Sequence, residues 1–339
     1  MVDNTTDFFK IKNHFKETEH ISSIPIFENK LQEIPKFTIA IPTYKRSVYL
    51  REALDSAINQ IDSVPYEIIV VDNNPERNDE TELCMMHYVN TPNLSYYKNS
   101  ENIGMAGNWN RLYTLARTEW VIMLHDDDML LPNLLSFHNE IINSLPDSSV
   151  IFPSCYSSYN TPIHIKGIRY KKLVANEFIF GNIVGPPVGM IFKRNDLISL
   201  GGFRNYLYPS IDMDIYIRAL IANLDCYKII SSSMAFYRFD INESMNPKTI
   251  IGCINNQQVM SDILLRKESG LSKVLYKEAL KTAIIMQSQK LVRIAKEISP
   301  ELKTCLSDLK NKQTFLSKII YHIIKTWNRI TSRLKSRYL

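Results

Sequence analysis

The sequence predicts an α/β protein: an apolar, largely parallel sheet with helices on both faces, followed by a mainly helical C-terminal extension. Three observations carry this. Short apolar runs alternate with stretches of helical spacing from Phe37 to Pro153, polar clusters stand where those runs end, and breakers become scarce beyond Asn246.

Residues 1–35 mix charged and apolar positions without a clean period and read as an extension. FTIAI (37–41) is a buried-type strand closed by Pro42, and Arg46–Gln60 has helical spacing at Leu50, Ala53, Leu54, Ala57 and Ile58. YEIIVVD (66–72) is a second strand, Glu80–Val89 a helix, LSYYKN (94–99) a third strand and Ala106–Ala116 a helix. WVIML (120–124) runs as a fourth strand into HDDD, with a helix over Leu131–Leu145 and a strand over SVIFP (149–153). A strand at Val188–Lys193 then leads to a short helix opened at Asn195 and closed by Gly201-Gly202. Asp212–Asn223 is helical, YKIISSS is a strand, and several helices follow. The expected division is an extension (1–35), a catalytic domain (36–245) and a helical region (246–339).

Composition narrows the function. The chain has 339 residues, 45% of them hydrophobic and 22% charged, the balance of a globular protein rather than a disordered or fibrous one. The formal charge of +5 is uneven: from Lys312 to Leu339 there are seven Lys and Arg and no acid, which leaves 33 basic against 35 acidic residues elsewhere. A near-neutral body argues against general nucleic-acid binding and singles out the tail. Five cysteines without a CxxC pair support neither a zinc knuckle nor a disulfide framework. The polar N-terminus does not read as a signal peptide, and no apolar stretch reaches the roughly 20 residues of a membrane span. A protein of a reducing compartment is expected.

HDDD (125–128) is the sharpest chemical signal. Consecutive carboxylates after a buried strand repel one another, and a divalent cation bearing phosphate oxygens would balance them. A solvated acidic turn with Asp128 capping the next helix is the plain alternative. Nearby strand ends add IPTYKR (41–46), where Tyr44 can stack on a base, and VVDNN (70–74), where Asp72 can accept hydrogen bonds from a base or ribose or form an Asx-turn. ENIGMAGNWNR (101–111) holds Gly104 and Gly107 but is no GxGxxG fingerprint.

Taken in order, IPTYKR, VVDNN, NIGMAGNWN, HDDDMLLP, LGGFRNYLY, IDMDIYIRAL and YRFDINES resemble the family 2 glycosyltransferases, from Phe37 to about Ser244. The resemblance implies the nucleotide-diphospho-sugar transferase (GT-A) fold, a three-layer α/β/α sandwich. It implies a nucleotide-sugar donor, expected to be a UDP-sugar, and Mn²⁺ or Mg²⁺ as cofactor. Donor contacts carry over to Pro42, Thr43, Tyr44, Arg46, Asp72, Asn102, Gly104, Asn110, Asp126, Asp127 and Arg238. Metal contacts carry over to Asp126, Asp128 and Asp240, with a subset of Asp126–Asp128 ligating. Asp212 is the expected general base, against the alternative of an ordinary N-cap, and one base with in-line attack implies inversion. The sequence departs from the family pattern at Asn73, at Trp109 (frequently Arg), at His125 (an acid), at Ile211 and at Asp240 (often His).

The tail reads independently. Phe315, Leu316, Ile319, Ile320, Ile323, Ile324, Trp327, Ile330 and Leu334 fall on one helical face, with Lys318, Lys325 and Arg329 opposite. That is the layout of a helix in an anionic membrane interface, the alternative being packing on the core or on a partner chain. The expected enzyme therefore sits at the cytoplasmic face of the inner membrane and extends a saccharide, lipid-linked on polyprenyl diphosphate, for an O-antigen or capsule. A sugar-phosphate nucleotidylyltransferase and a non-catalytic membrane-surface scaffold are the competing readings.

Overall fold

The computed structural model describes residues 12–32, 35–61, 64–157, 167–239, 245–293, 295 and 297–338. The extension is not featureless: β1 (Ser23–Glu28) pairs antiparallel with a later strand at one edge of the sheet. The alternating units follow as expected, with β2 (Phe37–Thr43), α1 (Ser47–Ile58), β3 (Tyr66–Asp72), α2 (Glu80–Met86), β4 (Leu94–Asn99), α3 (Gly104–Leu115) and β5 (Trp120–Met123). After them come β6 (Met129–Leu130), α4 (Leu134–Ser144), β7 (Val150–Tyr156), β8 (Arg169–Lys172), β9 (Ile191–Lys193), α5 (Arg194–Ser199), α6 (Ile211–Ile221) and β10 (Cys226–Phe236). The last part is α7 (Pro247–Leu264), α8 (Gly270–Arg293), α9 (Pro300–Lys312), α10 (Phe315–Lys335) and β11 (Arg337–Tyr338).

The strand order is β1-β4-β3-β2-β5-β9-β7-β10-β8-β11, with β6 paired to β10. The sheet is mixed rather than parallel throughout. β2 to β5 run parallel, but β9 enters antiparallel between β5 and β7, and β8 lies antiparallel to β10. The period-2 alternation sorts β2 to its two faces: Phe37, Ile39 and Ile41 join the core beneath α1 and α4, whereas Ala40 joins the core beneath α3 and α6. Ile250, Ile254 and Ile284 of the helical region belong to that second core, so this region packs on the same sheet face. The parallel strands β2, β3 and β5 all deliver their C-terminal ends to one edge, where open α/β sheets bind ligands.

The tail helix has three faces rather than the two expected. Ile320 and Ile324 pack on the core and Tyr321 is buried, while Phe315, Leu316, Ile319, Ile323, Trp327 and Ile330 are 41–80% exposed. The side chain of Leu334 lies outside the described residues. Among the described residues, no helix is long and apolar enough to cross a membrane.

Candidate active site

The ends of β2 and β5 meet across the sheet edge. Thr43 Oγ1 donates to Asp126 Oδ2 at 2.8 Å, and the guanidinium of Arg46 pairs with Asp127 and lies 3.5 Å from Asp126 Oδ1. The turn between them passes through Lys45 at φ 55°, which leaves Tyr44 standing 45% exposed beside the cleft. Next to it, Asn102 Oδ1 accepts from Gly104 N at 2.9 Å and from Asn73 Nδ2 at 2.8 Å.

Asp127 also belongs to a second group in the loop. Ligand atoms of His125, Asp127 and Asp128 lie within 4.8 Å of one another. Asp128 is fully buried; its Oδ1 accepts the Arg238 backbone N–H at 2.8 Å, while Oδ2, 3.7 Å from His125 Nδ1, has no hydrogen-bond partner among the described residues. His125 Nε2 is likewise buried without a partner. Burial holds the imidazole below its ordinary pKa, and burial together with Asp127 drives the Asp128 carboxyl well above its own. Burial pushes Asp126 up to about 7 against the pull of Arg46. An orphaned buried carboxylate oxygen in a set of imidazole and carboxylate donors suits a divalent cation, which accepts this N,O,O chemistry. Trp109 packs its ring on His125 at 5.0 Å, so two of the departures from the family pattern meet in space.

Asp212 stands in the first turn of α6, half-buried, with its carboxyl raised to about 6 by burial, backbone N–H groups opposing and Asp214 adding. That turn is held by a buried clamp. Asp214 accepts from Arg204 at 2.8 Å and from Arg218 at 2.9 Å, and Arg218 also donates to the carbonyls of Leu200 and Gly202. Gly202 sits at φ 79°, where a Cβ would meet Asn110 Oδ1 at 2.6 Å.

A cavity of about 990 Å³ joins these parts. Pro42, Thr43, Tyr44, Arg46, Asn102 and Gly104 line it, as do Asp126, Asp127 and Asp212. The other expected residues lie elsewhere. Asp72 is fully buried, with its oxygens taken by Lys98 Nζ (2.7 Å), Tyr96 OH (2.9 Å) and the Asn74 N–H (2.9 Å), so it frames the loop rather than facing a ligand. Asn110 clamps both backbone groups of Phe203. Arg238 braces the acidic loop, donating to the Asp127 carbonyl at 2.9 Å, pairing with Glu52 and stacking over Tyr49. Asp240 lies outside the described residues. Sequence reasoning counted Asp127 among the possible metal contacts but did not anticipate His125 beside it, nor Trp109, Tyr208, Gln257 and Gln287 in the wall. The HDDD run contained the first of these, whereas nothing marks the glutamines.

Residues 38–200 match the family model described as glycosyl transferase family 2. An uncharacterized glycosyltransferase of Methanocaldococcus jannaschii is 26% identical over 208 residues, 60% of this chain and 71% of that protein. The GalNAc(5)-diNAcBac-PP-undecaprenol beta-1,3-glucosyltransferase of Campylobacter jejuni is 35% identical over 105 residues, 30% of this chain and 33% of the relative. Across the first three curated relatives the matched stretch spans 62–71% of their length. Among solved structures, a Pyrobaculum calidifontis mannosyltransferase in complex with GDP-Man and Mn²⁺ superposes with a TM-score of 0.53 at 14% identity, covering 96% of this chain and 93% of that one. Staphylococcus aureus TarS in complex with UDP-GlcNAc gives 0.51 at 15% identity, covering 86% and 92%. The shared fold is the GT-A fold.

Proposed function

We propose, from the premise that residues 38–200 are a glycosyl transferase family 2 domain, that this chain moves a hexosyl unit from a nucleotide sugar to a saccharide hydroxyl with inversion. The observation that carries the reading is one cavity bordered by an under-neutralised acidic loop and by a separate carboxyl, Asp212. A UDP-sugar is the donor we infer, with Tyr44 against the base and Thr43, Arg46 and Asn102 along the donor wall. His125, Asp127 and Asp128 would hold Mn²⁺ or Mg²⁺, which when bound neutralises the departing nucleoside diphosphate. Asp240, outside the described residues, is a further candidate ligand.

Asp212 takes the proton of the attacking hydroxyl. Its carboxyl, raised to about 6, is ionised at neutral pH yet basic enough to accept that proton. The Arg204–Asp214–Arg218 clamp keeps the turn that bears Asp212 from swinging away. A single base on one side of the sugar and a leaving group on the other give inversion.

The acceptor we infer is a saccharide on polyprenyl diphosphate, in polysaccharide assembly of O-antigen or capsule type. The named substrate of the Campylobacter relative supports this, as does α10, whose exposed apolar face beside Lys318, Lys325 and Arg329 suits an anionic membrane surface. The protein then works peripherally at the cytoplasmic face of the membrane, with residues 36–245 as catalytic domain and 246–339 as its membrane-facing helical part. A panel of nucleotide sugars with a synthetic polyprenyl-diphosphate saccharide, run with and without EDTA, tests the reading. Metal-dependent release of nucleoside diphosphate with a lengthened acceptor is expected. Release of pyrophosphate, or no turnover of any nucleotide sugar, would reject it.

A further inference from the structure

The cavity does not end at the sheet. Past Asp212 its wall passes to α7 and α8, which contribute nothing to the acidic loop. Met213, Ile254, Met260 and Ile284 line it there as buried apolar side chains. Among the described residues, the sole Lys or Arg of the whole wall is Arg46, at the strand edge. A diphosphate or a carboxylate therefore has no cation to meet in this inner chamber.

Two amides interrupt the apolar wall. Gln257 Nε2 donates to Ser261 Oγ at 2.9 Å and faces the carbonyls of Ile179 and Phe178 at 3.3 and 3.4 Å. Gln287 Nε2 donates to the Phe180 carbonyl at 3.0 Å. Room for Gln287 is made by Gly181, where a Cβ would come within 2.3 Å of that nitrogen. Carbonyl oxygens only accept, so both amides are fixed with nitrogen toward the 178–180 segment. Their Oε1 atoms accept no hydrogen bond among the described residues, and neither is a sealed orphan. Both side chains line the cavity, so the chamber offers two oriented acceptors in an apolar surround.

We propose that this chamber is the acceptor-reading subsite and that it selects a sugar carrying an N-acyl group. The amide N–H donates to a glutamine oxygen, and the acyl methyl packs against Ile284 and Met260. A parent sugar with a hydroxyl at that position can still donate to a glutamine oxygen, but it leaves the apolar pocket unfilled. The inference rests on the transferase reading and names the acceptor class it takes.

Binding of p-nitrophenyl glycosides to the full chain, in saturating UDP and Mn²⁺, tests it without knowledge of the donor sugar. Saturation-transfer NMR titrations would compare the N-acetylglucosaminide with the glucoside and the N-acetylgalactosaminide with the galactoside. At least one N-acetyl member should bind about tenfold or more tighter than its parent. Ile284→Trp, which fills the chamber without touching a hydrogen bond, and Gln287→Met should each bring that pair within about threefold, with UDP affinity unchanged. Equal binding within both pairs, binding of none, or a preference that survives both variants overturns the proposal. Failure of the wild-type chain to bind UDP or GDP would instead overturn the transferase reading, because the nucleotide belongs to the strand-edge half.

Discussion

Two clusters of acids stand at the ends of the parallel strands on either side of β2, and they are built in opposite ways. At the end of β3, Asp72 is enclosed by Lys98, Tyr96 and a backbone N–H, and Lys98 reaches on to Asp79 at 3.0 Å. Past the end of β5, Asp128 has one oxygen bonded and one bare, with burial and then Asp127 beside it pushing its carboxyl up. The first cluster is complete without a visitor. The second is a set of donors without a centre, and in a buried place that condition is unfavourable until something positive arrives. Satisfaction, more than acidity, separates the structural cluster from the functional one.

The contrast can be broken most sharply at Asp128. Asp128→Asn keeps an oxygen for the Arg238 N–H but removes the charge, and transfer should fall on the order of 10³-fold with Mn²⁺ binding lost. The metal-free protein should melt no lower than wild type, because a neutral amide replaces a carboxyl whose ionised form burial and Asp127 disfavour. A folded variant active in excess chelator would end the metal assignment. Asp212→Asn comes next, lowering turnover about 10²–10⁴-fold while UDP affinity holds. With this carboxyl raised to about 6, wild-type kcat should decline about tenfold per pH unit below that value as the base takes up its proton. A flat acid limb would remove Asp212 from the chemistry.

Lys98→Met tests the opposite cluster. It strands Asp72 and should cost about 3–5 kcal/mol in denaturant unfolding, while kcat of the protein that remains folded stays near wild type. Adding Asp72→Asn should recover much of that loss; an undiminished deficit would mean that Lys98 acts through Asp79. The smallest effect extends the contrast to α10, whose packed face is satisfied and whose outer face is not. Trp327→Glu should weaken binding to anionic vesicles about tenfold without changing the melting temperature. Equal vesicle binding would assign that face to something other than a membrane.

The middle of the sheet was legible because its strands are sorted by local pattern: YEIIVVD and LSYYKN have the bounds read from the sequence. What local pattern cannot carry was missed. The β1 strand contains Pro25 and a half-exposed alternation, so its pairing with β4 is a tertiary choice. The antiparallel entry of three-residue β9 is another. Asp72 looked like a ligand-facing acid because the lysine that neutralises it lies 26 residues on. The nine-residue stripe of the tail was visible, but periodicity alone could not divide it, since neighbouring elements claim Ile320 and Ile324. Gln257 and Gln287 gave no signal, since their meaning depends on carbonyls of the 178–180 segment.

The stacking of Trp109 on His125 has an optical consequence. The chain has three tryptophans, and each occupies a different medium. Trp120 is sealed in β5 beneath Lys193, Trp109 touches the imidazole of the acidic loop, and Trp327 stands in solvent on α10. Intrinsic emission of the unlabelled protein therefore contains a constant blue component and two reporters. A paramagnetic ion such as Mn²⁺ held by His125 would darken Trp109, and an apolar surface covering Trp327 would shift its red emission toward the blue. One cuvette could then follow cation and surface as separate colours.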